Sequence, residues 1–215
     1  MTTCDISLYA ILDPARTRDR PLAQMASAAA RGGATILQYR DKSADTRTLI
    51  DNARTIREAL APYDIPLLIN DRVDVALAVG AAGVHVGQCD MAPLDARRLL
   101  GDDAIIGLTI KTQDHARAAP TELLDYVCIG GVFDTLSKEN RQSIGLDGWR
   151  DVAQHFRTAA PKMPVGAIAG IDADNVVSVL DAGADGVAII SAIFMADDVE
   201  AATRHLRKAV EEAQK

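Results

Sequence analysis

The sequence predicts a single closed barrel of eight parallel strands, each followed by a helix: one (β/α)8 domain over residues 1–215. Three observations predict it. Short Ile-, Val- and Leu-rich runs, apolar on both faces, alternate from end to end with Ala- and Arg-rich stretches of period near 3.6, the pattern of parallel strands covered by helices. No linker, composition shift or low-complexity tract interrupts the eight units. A weak internal repeat joins Arg31-Gly32-Gly33-Ala34, Val79-Gly80-Ala81-Ala82-Gly83 and Ala182-Gly183-Ala184-Asp185-Gly186. In each, a glycine follows the last helical turn, where a left-handed conformation costs least without a Cβ, and a strand begins within a few residues. An open doubly wound sheet would place a glycine-rich phosphate loop after the first strand, and Asp13-Pro14-Ala15-Arg16 contains no glycine.

In order, the apolar runs place strands at 7–12, 35–39, 66–69, 83–86, 105–109, 126–129, 165–168 and 186–190. Helical periodicity fills the intervals at 21–31, 45–61, 73–79, 93–100, 112–118, 148–157, 173–181 and 199–213.

Composition narrows the function classes. Of 215 residues, 48% are hydrophobic and 25% charged, enough apolar content to exclude disorder, and no run approaches the roughly 18 uncharged apolar residues that a spanning helix requires. The net charge of −7, without a basic tract, argues against nucleic acid and against anionic membranes. The first residues include Asp5 and lack a cationic segment followed by an apolar stretch, so no secretory signal is expected. Cys4, Cys89 and Cys128 are odd in number and far apart, which excludes a disulfide framework and a thiolate zinc site. A reducing, cytoplasmic home follows as the default. No feature of the sequence sets an oligomeric state.

In such barrels the reactive groups sit at the carboxyl ends of the strands. Sorted that way, one mouth collects Gln38-Tyr39-Arg40-Asp41-Lys42, Asn70-Asp71-Arg72, Gly87-Gln88-Cys89-Asp90, Thr109-Ile110-Lys111, the run from Gly130 to Lys138, Ala169-Gly170-Ile171 and Ser191-Ala192. Asp71 and Asp90 end neighbouring strands and can face one ion; Arg40, Lys42 and Lys138 are cations on the same rim. Hard oxygen ligands beside cationic donors suit a diphosphate held with Mg²⁺, although the same residues would also make a surface salt-bridge network. Gly170 and Ser191, after the last two strands, stand where this fold collects phosphate on backbone amides, or serve as a turn glycine and a helix cap.

These motifs carry a resemblance. Gln38-Tyr39-Arg40-Asp41-Lys42, the run from Leu68 to Ala78, the run from Gly83 to Asp90 and the run from Ala182 to Ala192 occur in order at the right strand ends, and over essentially its full length the chain resembles the thiamine-phosphate synthases. The resemblance implies a transferase that joins a pyrimidine-methyl diphosphate to a thiazole phosphate with release of pyrophosphate and with Mg²⁺ as cofactor. It implies that Gln38, Tyr39, Arg40, Asp41 and Lys42 bind the pyrimidine diphosphate, that Asn70 reads the pyrimidine, and that Asp71 and Asp90 hold the metal. It makes Thr109, where the family usually has Ser, a pyrimidine contact. Thr135, Leu136 and Ser137, with Gly170, Ile190 and Ser191, would receive the thiazole phosphate, and Lys138 would contact the diphosphate. Arg40, Lys42 and Lys138 are thus the expected catalytic cations.

The chain departs from the family pattern at several points. Thr109-Ile110-Lys111 replaces Ser-Thr-His, Gly130-Gly131 replaces Gly-Pro, Leu12-Asp13 replaces Thr-Asp, and Ala169 replaces the first of two glycines. A negative φ is expected at Ala169, which would make its Cβ harmless. Two alternatives stay open: a thiazole tautomerase of the same fold, disfavoured by Arg40, Lys42, Asp71, Asp90 and Gly131, and a noncatalytic phosphate-ligand barrel, favoured by the departures.

The remaining reactive residue types have plainer readings. His85 is expected to be a packed barrel histidine, and His115, His155 and His205 to be solvated on helices. Cys89 is expected as a buried filler, Trp149 as helix packing, and Asp172 and Asp174 as caps of the seventh helix.

Overall fold

The computed structural model describes residues 4–134 and 143–215. Eight parallel strands form the expected closed barrel: β1 (Leu8–Leu12), β2 (Ile36–Tyr39), β3 (Leu67–Asn70), β4 (Gly83–Val86), β5 (Ile105–Ile110), β6 (Tyr126–Gly130), β7 (Val165–Ile168) and β8 (Gly186–Ile189). Each strand pairs with the next, and β8 returns to β1 with Leu8 opposite Val187. The helices are α1 (Leu22–Arg31), α2 (Thr46–Leu60), α3 (Val73–Val79), α4 (Pro93–Leu100), α5 (Gln113–Ala118), α6 (Gly145–Ala159), α7 (Val176–Asp181), α8 (Ser191–Phe194) and α9 (Val199–Ala213).

Strand alternation divides the core into two layers. Leu8, Ala10 and Leu12 of β1 join the large cluster between strands and helices, whereas Tyr9 and Ile11 point inward with Ile36, Leu68, Tyr126, Cys128 and Ala188. The inward set fills the barrel, so it is a packed core and not a pore. The repeated glycine at the helix exits does what its pattern implies: Gly33, Gly80 and Gly183 all have positive φ. Side-chain caps fix three helix starts, with Asp45, Thr112 and Asp198 accepting from Thr48, His115 and Ala201 N–H groups.

Most expected boundaries move by no more than a single residue, and the larger shifts lie on the β6 to β8 side. Helix α6 begins at Gly145, three residues before the expected start. Helix α7 begins at Val176 and not at 173, because Asp172, Asp174 and Asn175 form a turn instead. In it the Asp174 N–H donates to Asp172, the Asp172 N–H to Asn175, and the Asn175 amide to the Gly170 carbonyl. Asp172 and Asp174 therefore order a turn and do not cap the helix. After β8 a short helix, α8, precedes the long last helix, an element absent from the periodicity because it is only one turn long.

Candidate active site

The carboxyl ends of β1 to β4 bring four charged groups together as two pairs. Arg40, just past β2, forms an ion pair with Asp13, just past β1. Lys42 forms one with Asp71 at the end of β3. The pairs differ in solvent access: the Arg40 and Asp13 side chains are 18% and 10% exposed, whereas Lys42 is 56% exposed against 17% for Asp71. Arg40 is thus a fixed cation, and Lys42 a mobile one free to turn toward an anion at modest cost.

Asp71 is built in with strain. Its φ is +60°, a conformation that Asp tolerates better than most residues, and its N–H donates to the His85 carbonyl at 2.8 Å. Asp90 lies four residues past β4, yet its carboxylate folds back to accept from the Gly87 N–H at 2.8 Å. Partial burial and the neighbouring Asp71 carboxylate raise the Asp90 pKa above its ordinary value, against the lowering effect of the Gly87 N–H and of Lys42. The Asp90 carboxylate thus lies close enough to that of Asp71 to feel its charge, so the two strand ends bring a pair of acidic side chains together. Among the described residues no group of three or more His, Cys, Asp or Glu could hold a metal by itself. An ion here would take its remaining ligands from a bound anion or water.

Other expected site residues are placed differently. Gln38 points into the barrel, is 2% exposed, and donates its amide N–H to the Tyr9 hydroxyl. Tyr39 faces the helix layer, where its hydroxyl accepts from Asn52 of α2 at 3.1 Å and where burial pushes its pKa up to about 12. The structure does not bring Tyr39 to the mouth, because side chains alternate along β2 and Gln38 takes the inner face. Asp41 shapes the loop: burial alone would raise its pKa, but hydrogen bonds from the Ser43 N–H and hydroxyl and from the Ala44 N–H bring it below the ordinary value. Asn70 ends β3 and Thr109 is the last residue but one of β5, both half-exposed at the mouth. Gly170, Ile190 and Ser191 are likewise half-exposed, with Ser191 opening α8. Thr135, Leu136, Ser137 and Lys138 lie outside the described residues.

Four plainer readings change. Ala169 has φ +91°, not the negative value expected. The loop holds it there: the Ile168 carbonyl accepts from Gly131 and Val132, and the Ala169 carbonyl accepts from the Phe133 N–H at 3.1 Å. Cys89 is exposed and no filler, because the loop that returns Asp90 to the mouth turns Cys89 outward. His115 and His155 are half-buried and not solvated; the His115 Nδ1 has no hydrogen-bond partner among the described residues, and His155 accepts from Arg117 at 2.9 Å. His205 is exposed, Trp149 is fully buried on α6, and His85 is buried in the barrel, all as expected. The sequence reading missed Asp13 as a site residue. Its signal was present, since an acidic residue directly follows the first strand in line with Asp71 and Asp90.

Comparison with known proteins gives the family. A family model described as thiamine monophosphate synthase matches residues 8–193, nearly the whole barrel. The chain belongs to the thiamine monophosphate synthase family. It is 52% identical over 216 residues to the thiamine-phosphate synthase of Agrobacterium fabrum, covering 100% of this chain and 98% of that one. It is 44% identical to the thiamine-phosphate synthase of Chloroflexus aurantiacus, over 96% of this chain and 93% of that one. A solved thiamine phosphate pyrophosphorylase from Pyrococcus furiosus superposes with a TM-score of 0.87 at 38% identity, covering 100% of both chains. The thiamine monophosphate synthase family is a transferase family, and the chain matches these two relatives over 98% and 93% of their own length. No helix among the described residues is long and apolar enough to cross a membrane.

Proposed function

We propose that this chain joins 4-amino-2-methyl-5-(diphosphooxymethyl)pyrimidine to a thiazole phosphate, giving thiamine phosphate and pyrophosphate. The observation that carries this reading is the pairing at the β1 to β4 mouth: Arg40 with Asp13, and Lys42 with Asp71 beside Asp90. A tautomerase would have no use for a diphosphate site of this kind, and a noncatalytic barrel no reason to keep two close carboxylates.

In the reaction the methylene C–O bond breaks, pyrophosphate leaves with the bonding pair, and the thiazole nitrogen forms the new C–N bond. The aminopyrimidine ring shares the positive charge that develops at its methylene, so the chain needs no nucleophile of its own. Arg40, locked by Asp13, donates to the diphosphate oxygens with its geometry set in advance. Lys42 turns from Asp71 to the leaving group as its negative charge grows. Asp71 and Asp90 would hold Mg²⁺, which when bound supplies Lewis-acid neutralisation of the diphosphate. Asn70 and Thr109 face the pyrimidine. Across the mouth, the amides around Gly170, Ile190 and Ser191 hold the thiazole phosphate, at the place where this fold sets a short extra helix beside a phosphate. That alignment would bring the nitrogen to about 3–3.5 Å from the methylene. The family resemblance assigns Thr135, Leu136, Ser137 and Lys138, which follow β6 in the sequence, to the same two anions, and the chain acts in the cytoplasm.

Pyrophosphate release, measured with both substrates, tests the reading. Release should require both substrates and fall to background with a chelator, returning with added Mg²⁺. Turnover of thiazole alone would favour the tautomerase, and tight binding of both ligands without release would favour the noncatalytic barrel.

A further inference from the structure

Beneath the mouth, the barrel interior holds a line of polar side chains that the proposed chemistry does not use. Gln38 Nε2 meets the Tyr9 hydroxyl, the Tyr9 hydroxyl meets that of Tyr126 at 2.8 Å, and the Tyr126 hydroxyl meets His85 Nδ1 at 2.8 Å. His85 Nε2 then meets the Thr109 hydroxyl at 2.7 Å. Gln38, Tyr9, Tyr126 and His85 are buried, and Thr109 is half-exposed at the rim.

Room for this line is made at one residue. His85, Gly107 and Tyr126 lie side by side in register on β4, β5 and β6. A Cβ at Gly107 would fall 2.1 Å from Tyr126 Cζ and 2.3 Å from its hydroxyl oxygen. The missing side chain lets the Tyr126 ring lie across β5 and reach His85, with ring centroids 5.5 Å apart. An all-apolar interior would be simpler to pack, and buried polar lines persist only when every member is satisfied.

The line has a direction. The Gln38 amide nitrogen can only donate, so the Tyr9 oxygen accepts; its one proton is then satisfied by donating to the Tyr126 oxygen at 2.8 Å, the direction we assign to that pair. Tyr126 in turn has one proton left, which goes to His85 Nδ1. Burial raises both phenol pKa values well above the ordinary one, so each keeps its proton to pass on. A neutral imidazole that accepts at Nδ1 carries its own hydrogen at Nε2, and this points at the Thr109 oxygen. The Thr109 proton is left to face the mouth.

We infer that Gln38, Tyr9, Tyr126 and His85 form a one-way hydrogen-bond chain that fixes the Thr109 hydroxyl as a donor to an acceptor nitrogen of the pyrimidine, which makes Tyr126 a positioning residue. The pyrimidine end of this inference rests on the proposed function; the direction of the chain does not. Reversed, the chain would present a Thr109 lone pair and repel the same nitrogen. Selectivity for a ring with an acceptor at that edge is therefore set through Tyr126 and His85, on the two strands that flank β5, and not by Thr109 alone.

The ¹⁵N spectrum of histidine-labelled protein without substrate tests the direction, with the His85 signals identified by their loss in His85→Gln. Wild type should show the Nε2–H tautomer. Tyr126→Phe keeps the ring and removes the donor to Nδ1, so His85 should shift toward the Nδ1–H form. In the same variant KM for the pyrimidine diphosphate should rise about tenfold, the scale of one lost hydrogen bond, with thiazole KM within about twofold. Tyr9→Phe deletes an equally buried hydroxyl but leaves Tyr126 its own proton; it should keep the tautomer and change pyrimidine KM less than about threefold. In a Thr109→Val background, Tyr126→Phe should add nothing further to KM. An Nδ1–H tautomer in wild type, or equal effects of the two Phe variants, would overturn the directional chain. The expected tautomer shift with pyrimidine KM unchanged would instead overturn Thr109 as a pyrimidine contact, and the positioning role with it.

Discussion

The two sides of the barrel mouth are built from different materials. From β1 to β4 the rim is charge: Arg40 pairs with Asp13, Lys42 pairs with Asp71, and Asp90 lies beside Asp71. From β7 to β8 the described rim has no ion pair of this kind and consists of backbone: Ala169 and Gly170 at positive φ, the Asn175 turn, and the start of α8. A diphosphate with a divalent ion carries enough charge to need opposite charges held in place. A monophosphate can be satisfied by N–H groups that cost no desolvation of a buried ion. The division therefore follows the charge of the two proposed ligands, and it can be broken by removing charge on one side or changing backbone on the other.

The largest effect should come from the carboxylates. Asp71→Asn and Asp90→Asn should each lower turnover at least about tenfold and shift the Mg²⁺ titration to higher concentration, because each removes one formal charge from the ion's surroundings. An unchanged titration in either variant would take that residue out of the site. The two functions of Asp90 should separate in stability measurements. Its folded-state pKa is raised, so the folded protein binds that proton more tightly than the unfolded chain does, and stability falls as pH rises through the window just above the ordinary carboxylate value. Metal-free Asp90→Asn should thus melt above wild type at pH 7 and converge with it in acid. A variant that melts lower at pH 7 would show that Asp71 does not repel Asp90.

Next in size is the fixed cation. Arg40→Ala should weaken pyrimidine diphosphate binding by about 1.5–3 kcal/mol, the scale of a charge-assisted hydrogen bond, and leave thiazole phosphate binding within about twofold. Calorimetry that found both ligands weakened equally would erase the division of the mouth. Asp13→Asn keeps the Arg40 charge but loosens its anchor, so it should have the same sign and a smaller size, under about 1 kcal/mol. An effect on thiazole binding alone would contradict the pairing of Asp13 with Arg40.

This contrast also explains what the sequence disclosed. Charged residues announce themselves, and the strand-end rule placed Asp71, Asp90, Arg40 and Lys42 at one mouth without coordinates. All eight strands were legible because parallel strands buried on both faces read as continuous apolar runs. Tyr39 was misplaced because a motif names residues, whereas pleat alternation decides which of them face inward. The Tyr126 chain was illegible because its enabling feature is an absence, the missing side chain of Gly107. Helix α8 was too short for any period to register. The conformation at residue 169 is a backbone property, and alanine in place of glycine pointed to the wrong sign of φ.

That residue gives the smallest and most discriminating prediction. At φ +91° an alanine Cβ crowds the backbone, at a cost of about 1–2 kcal/mol. Glycine would remove the strain but gain conformational freedom in the unfolded chain, worth about 0.4–1 kcal/mol in the opposite direction. The difference leaves Ala169→Gly more stable by roughly 0.5–1 kcal/mol, seen as a higher urea midpoint at unchanged slope. The loop itself should not move. Its hydrogen bonds from Gly131, Val132 and Phe133 are all to the carbonyls of Ile168 and Ala169, and glycine retains them. Gly170 is held just as firmly, since a Cβ there would lie 2.6 Å from both the Asp134 carbonyl oxygen and Phe133 Cβ. Thiazole phosphate KM should accordingly stay within about twofold, because a strained backbone already in the glycine conformation presents the same N–H groups. A KM that fell tenfold or more would mean that alanine had displaced the amides from the phosphate. The backbone side of the mouth would then have drifted while the charged side was kept.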